Sequence, residues 1–264
     1  MLIKLYLGFG TLLPCILLGG CATLENLAAT KYECALSSDG THLALSGPTD
    51  EKMLACVEEN ISPRLKAVTV NTNGGNVKTA MKTADLLAPN NVTLTVKSNC
   101  NSSCANYFLP VAGRIIVQKN ANIMLHGSID EGFVQRVATQ RGQRPVPASA
   151  KDIEQQQKEF VEKYDVDLGW LMYRTAAQYD SKSASDYLTG EPEVWGADNA
   201  KIRSYIAEED FIRSCLRDVQ IDPFEDTIAQ QVYDSKKLQS RLAKQGIYPS
   251  GSMRCLGADA EGAP

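Results

Sequence analysis

The chain has 264 residues, 44% of them hydrophobic and 22% charged, and a formal net charge of −4 at pH 7. This is globular composition, enough for one large domain or two small ones, and it excludes disordered and collagenous chains. The acidic balance argues against a nucleic-acid partner, which calls for a basic face; two histidines, His42 and His126, exclude a multi-histidine metal site.

Residues 1–20, MLIKLYLGFGTLLPCILLGG, place Lys4 before an apolar stretch that ends in small residues. That is the shape of a signal peptide, too short and too sparsely charged for a spanning anchor. Leu18-Gly19-Gly20-Cys21 resembles the bacterial lipobox, which implies lipidation of Cys21 and attachment to the cell envelope, facing the periplasm. Ala22, where an aspartate would resemble an inner-membrane retention signal, points to the outer membrane. A lipid anchor gives membrane affinity without a spanning helix. With Cys15 and Cys21 set aside, six cysteines remain: Cys34, Cys56, Cys100, Cys104, Cys215 and Cys255. An even set in an exported chain reads as disulfides. Six cysteines allow fifteen connectivities; chain neighbourhood suggests Cys34–Cys56, Cys100–Cys104 and Cys215–Cys255. A zinc site has neither a C-x-x-C pair nor clustered histidines to support it.

Residues 21–33 read as a tether. A strand is expected over 34–47, ended by Ser46-Gly47-Pro48. A helix follows with Asp50 as N-cap and Met53, Leu54, Val57 and Ile61 on its apolar face, stopped by Pro63. Lys66–Asn71 is a β-branched run and so a buried strand. Asn73-Gly74-Gly75-Asn76 is a turn, and Val77–Leu87 a helix with Val77, Met81, Ala84 and Leu87 or Ala88 on one side. Val92–Val96 is the next strand. After Cys100-Asn101-Ser102-Ser103-Cys104 comes an apolar helical stretch to Ala112-Gly113, which Pro110 should shorten. Arg114–Val117 and Asn122–Leu125 are two further strands. Beyond a loop at 138–149, residues 151–179 show helical periodicity through Ile153, Phe160, Tyr164, Leu168, Leu171 and Met172. The alternation of strand and helix predicts an α/β core with parallel strands. Domain organisation is read as an α/β domain over 34–197 and a helical extension over 198–264.

Three pieces carry chemistry: Gly74-Gly75 after a strand, Ser102-Ser103 at a strand-to-helix junction, and His126 at a strand end. A serine hydroxyl needs a base within hydrogen-bond reach to act as a nucleophile, and His126 is available. A tetrahedral intermediate needs N–H donors aimed at its oxyanion; a Gly-Gly turn and a helix start supply uncovered amides. Each residue also has a plain structural use: the serines as N-caps, the glycines as a tight turn, His126 as a strand end, His42 in packing. Cys104 near a histidine could be a nucleophile, but its partner Cys100 argues for a bridge. That bridge would pin the loop presenting Ser102.

The segments VTVNTNGGNVKTAMKTADLL, TLTVKSNCNSSCANYFLPVAG and NANIMLHGS together resemble the Clp protease proteolytic subunit and the wider Clp/crotonase superfamily, over about residues 43–128. C-N-S-S-C is similar to the C-x-S-A-C of exported Clp-like proteins. The resemblance implies a spiral α/β core of strand–helix repeats with a mostly helical C-terminal part. It also implies a serine peptidase without metal or cofactor, acting on a peptide or protein. Ser102 matches the nucleophile, His126 the base, and the amides of Gly75 and Ser103 the oxyanion donors. Ser103 is the alternative nucleophile. Asp186, in Asp186-Tyr187-Leu188-Thr189, matches the third residue with spacing off by one; Asp180 and Glu193 compete. Asn73 stands where the family has proline. Self-association into rings or trimers is implied by the resemblance alone. Two rivals stand beside this reading. One is an inactive envelope lipoprotein that keeps the fold as a scaffold. The other is a crotonase-type acyl-CoA enzyme, against which export argues because that cofactor is cytosolic.

Overall fold

The computed structural model describes residues 31–127, 148–167, 169–171, 188–189 and 204–255. Cys21, Asp180, Asp186, Glu193 and most of the 138–149 loop lie outside them.

Where one strand is expected over 34–47, the chain folds back on itself. β1 (Glu33–Leu36) and β2 (His42–Ser46) pair antiparallel. Asp39-Gly40 makes the turn, with Gly40 at φ +71°. The Asp39 carboxylate accepts from the Ser37 hydroxyl at 2.6 Å and from the Thr41 amide and hydroxyl at 3.1 and 2.8 Å. These bonds, Ser37 first, hold its carboxyl down at about 2. α1 (Glu51–Asn60) starts where Asp50 accepts from the Lys52 and Met53 amides, and buries Met53, Leu54, Cys56 and Val57. β3 (Ala67–Thr72) buries alternate residues. α2 (Val77–Leu87) is capped by Asn76, which accepts from the Thr79 amide, and buries Ala80, Met81, Ala84 and Leu87.

β4 (Thr93–Asn101) runs well past the β-branched run from which it is read. α3 (Ser103–Tyr107) has only five residues. The chain leaves the helix before Pro110, which has no amide to donate. β5 (Arg114–Val117) and β6 (Asn122–Leu125) follow. α4 (Ala148–Tyr164) ends where Asp165 turns to φ +49°, so Leu171 beyond it does not continue its stripe. Phe160 is its main core contact, edge-on to Tyr107 with ring centroids 5.2 Å apart. The remaining elements are β7 (Leu188–Thr189), β8 (Ser204–Ile206), α5 (Glu209–Cys215), β9 (Gln220–Ile221), α6 (Ile228–Tyr233), α7 (Lys236–Ala243), β10 (Ile247–Pro249) and β11 (Arg254–Cys255).

One sheet organises the described residues, in the order β1-β2-β3-β4-β6-β8-β10 with β5 and β9 branching from β4. The α/β architecture is thus as read, but β1–β2 and β6–β8 pair antiparallel, and the 198–264 stretch, read as a helical extension, gives the sheet three of its strands as well as helices, because their short backbones find partners at the sheet's edges. The branch at β4 positions the site. Its first half, Thr93–Val96, pairs parallel with β5; its second half, Asn99–Asn101, pairs parallel with β6. β3 lies along its other edge. The ends of β3, β4 and β6 therefore come together, as parallel strands require. The core is aliphatic, with Val68, Val70, Leu94, Val96, Ile115, Ile123 and Leu125 nearly or fully buried. The cysteines pair Cys34–Cys56, Cys100–Cys104 and Cys215–Cys255. No helix among the described residues is long and apolar enough to cross a membrane.

Candidate active site

Ser102 follows the last residue of β4 and precedes the first of α3. Its amide donates to the Met124 carbonyl of β6 at 2.8 Å, and its carbonyl accepts from the Asn106 amide at 2.9 Å. Caught between a strand bond and a helix bond, it adopts φ +55°, ψ −123°. A side chain with a β-carbon avoids this region, and such strain gathers at functional sites. The serine hydroxyl projects at the sheet's C-terminal edge as at a sharp strand-to-helix elbow. His126 lies two residues past Met124, just beyond β6. Its Nε2 is 2.5 Å from Ser102 Oγ. Both residues are partly exposed.

Ser103 has a different setting. It is 1% exposed; its hydroxyl is 2.7 Å from the Thr49 hydroxyl and accepts from the Gly75 amide at 2.9 Å. It fastens the Gly-Gly turn and the loop before α1 to the start of α3. Of the two serines, the histidine meets Ser102. The Gly75 amide, expected as an oxyanion donor, is occupied here by the Ser103 hydroxyl. Gly75 also pairs with Thr49 as an isolated parallel bridge.

Gly74 is the glycine that the site needs. At φ +84°, a β-carbon there would stand 2.7 Å from Ser102 Cβ, 2.6 Å from the Asn101 carbonyl oxygen and 3.0 Å from the Ser103 nitrogen. Its bare backbone leaves open the space beside the Ser103 amide. That amide, first in α3, has no acceptor within the helix.

Beneath the site runs a set of asparagines absent from the sequence reading of the site. Asn122 donates to Asn99 at 2.8 Å, Asn99 to Asn71 at 3.3 Å, and Asn101 to Asn73 at 2.9 Å. Asn99, Asn101 and Asn122 are buried, and these bonds tie β3, β4 and β6 together where the chain turns into the site. The sequence signal is the recurrence of Asn two apart, at 71 and 73 in and just past β3 and at 99 and 101 in β4. Asn73 accepts from Asn101 and so anchors the Gly-Gly turn to the residue before Ser102.

The Cys100–Cys104 disulfide spans Ser102, from β4 to α3, with both cysteines 0% exposed. Cys104 is therefore no free nucleophile. His42 lies elsewhere, its Nε2 2.8 Å from the Thr69 hydroxyl. Asp186, proposed as the third residue, and its competitors Asp180 and Glu193 lie outside the described residues.

No family model matches the chain, and no curated protein matches it. Solved structures do. One is a Rhodopseudomonas palustris protein with an enoyl-CoA hydratase assignment, at 13% identity and TM-score 0.30, over 48% of this chain and 64% of that one. Another is an enoyl-CoA hydratase from Mycobacterium avium subsp. paratuberculosis, at 12% identity and TM-score 0.30, over 52% and 75%. A third is Pseudomonas aeruginosa AtuE, at 10% identity and TM-score 0.36, over 80% and 74%. The chain spans just under two thirds of the length of the first of these.

Proposed function

We propose that this protein is a serine hydrolase, most readily a peptidase, carried to the bacterial cell envelope and held there by a lipid on Cys21. The observation that carries the hydrolase reading is the 2.5 Å approach of His126 Nε2 to the hydroxyl of a serine held at φ +55°. A packing or capping serine needs neither. Export is supported by the leader shape of residues 1–20 and by three disulfides, which persist in oxidising compartments.

In this reading Ser102 Oγ attacks the carbonyl carbon while its proton passes to His126 Nε2. The Ser103 amide, facing the space that Gly74 keeps clear, donates to the oxyanion. His126 returns the proton to the leaving group as the tetrahedral centre collapses to an acyl-enzyme. Water, deprotonated by His126, then releases the acid. The Gly75 amide joins the oxyanion site only when the Ser103 hydroxyl turns away.

That occupied amide favours a second reading, an inactive scaffold that keeps the fold for binding. A fluorophosphonate probe separates the two. Adduct on Ser102, lost in Ser102→Ala and slowed about 10²–10⁴-fold in His126→Ala, is expected of the hydrolase. No adduct on folded, oxidised protein would favour the scaffold, or an enzyme that awaits a partner. Adduct on Ser103 would overturn the assignment of the nucleophile.

A further inference from the structure

Ser102 and His126 follow different strands, β4 and β6, and the backbone ladder between those strands stops short of the histidine. The last rung is Asn101 opposite Met124, followed by the bond from the Ser102 amide to the Met124 carbonyl. Leu125 already pairs on its other side, with Tyr205 of β8. Nothing in the β4–β6 ladder reaches residues 126 and 127.

Asn106 reaches them from α3. It lies four residues after Ser102, hence over the same helix face. Its backbone amide holds the Ser102 carbonyl at 2.9 Å, and its side-chain Nδ2 donates to the Gly127 carbonyl at 3.1 Å. Gly127 directly follows His126 and sits at φ +89°. Asn106 is 3% exposed, in a run where Ala105, Tyr107, Phe108 and Leu109 are all 0% exposed. An amide in such a place loses water on both polar atoms and is retained only where it has a bond to make.

We propose that Asn106 is a positioning residue that sets the Ser102–His126 distance: one residue grips the carbonyl of the nucleophile through its backbone and the carbonyl after the base through its side chain. It touches no reacting atom. This rests on the hydrolase reading.

The test uses Asn106→Leu, which keeps the side chain's bulk and removes the donor. His42 and His126 are the two histidines of the chain, so their ring nitrogens can be followed separately by NMR. We expect fluorophosphonate labelling of Ser102 to slow by about 10–100-fold, the cost of a misplacement near 1 Å. The His126 ring signals and titration should move while those of His42 stay put. A purely structural asparagine would lower the melting temperature and leave the His126 titration and the labelling of the folded fraction at wild-type values; that result overturns the proposal. Asn106→Asp carries the test if the leucine variant does not fold. Its carboxylate cannot donate, and its His126 signals should approach those of wild type at the same pH once the solution is acid enough to protonate it. Wild-type protein that takes no probe overturns the hydrolase reading alone, and the His126 shift then still decides the role of Asn106.

Discussion

Ser102 holds a backbone conformation that costs about 1–3 kcal/mol for a residue with a β-carbon. Glycine adopts positive φ freely. Ser102→Gly and Ser102→Ala both delete the hydroxyl, yet we expect the glycine variant to be the more stable by about 1 kcal/mol, read from paired thermal melts. Equal melts would mean that Ser102 is not strained in solution. Gly74 makes the opposite case. Gly74→Ala places a methyl against Ser102 Cβ and the Asn101 carbonyl at φ +84°, so both stability and labelling should fall. Ser103→Ala separates the two serines. It strands the buried Thr49 hydroxyl and the Gly75 amide, at a cost of about 1–3 kcal/mol, while the probe should still find Ser102.

Among the elements, the disulfides divide their work by loop length. Cys100 and Cys104 are 4 residues apart, Cys215 and Cys255 are 40 apart. On the chain-entropy model the short loop contributes about 2 kcal/mol and the long one about 4. The short bridge instead ties β4 to α3 across the strained serine. Replacing Cys100 and Cys104 by alanine should therefore cut labelling more than stability, and replacing Cys215 and Cys255 should do the reverse. Rates and melts on the two double variants check this; equal labelling in both would remove the short bridge from the site. The helices α1 and α2 are legible in the sequence because local signals agree, with Asp50 and Asn76 as caps and apolar residues at helical spacing. The hairpin at Asp39-Gly40 is a local signal passed over. The shortness of α3 is not local: its apolar residues sit in the core, where burial rather than helical period chooses them.

For the molecule as a whole, the C-terminal stretch is bound to the α/β core by strand pairing and by charge. Arg114 of β5 makes a two-pronged bond to Asp222, just after β9, at 2.8 and 2.7 Å. The guanidinium holds the Asp222 carboxyl below its usual range, through the hydrogen bonds first. A carboxyl whose value is lower folded than unfolded adds stability above the unfolded value, near 4, and loses it as pH falls through the folded one. Asp222→Asn should therefore melt earlier than wild type at pH 7 and together with it in strong acid. A gap independent of pH would exclude the ion pair as its cause. Trp170 makes a second tie, donating to the Ala105 carbonyl of α3 at 3.2 Å while stacking on Phe211 of α5.

The residue types at the site, the strand–helix alternation and the serine before a helix are all written in the sequence, because each is a local matter of period, cap and turn. The choice of Ser102 over Ser103 is not. Neighbouring serines point to opposite sides at a strand-to-helix junction, and the side that faces the histidine depends on how β4 pairs with β6. The occupied Gly75 amide, the asparagines that join three strands and the reach of Asn106 to Gly127 likewise join residues far apart in sequence. Parallel strands bring such residues together only once the sheet has formed, and the short strands β8, β9 and β10 declare themselves only by their partners in it.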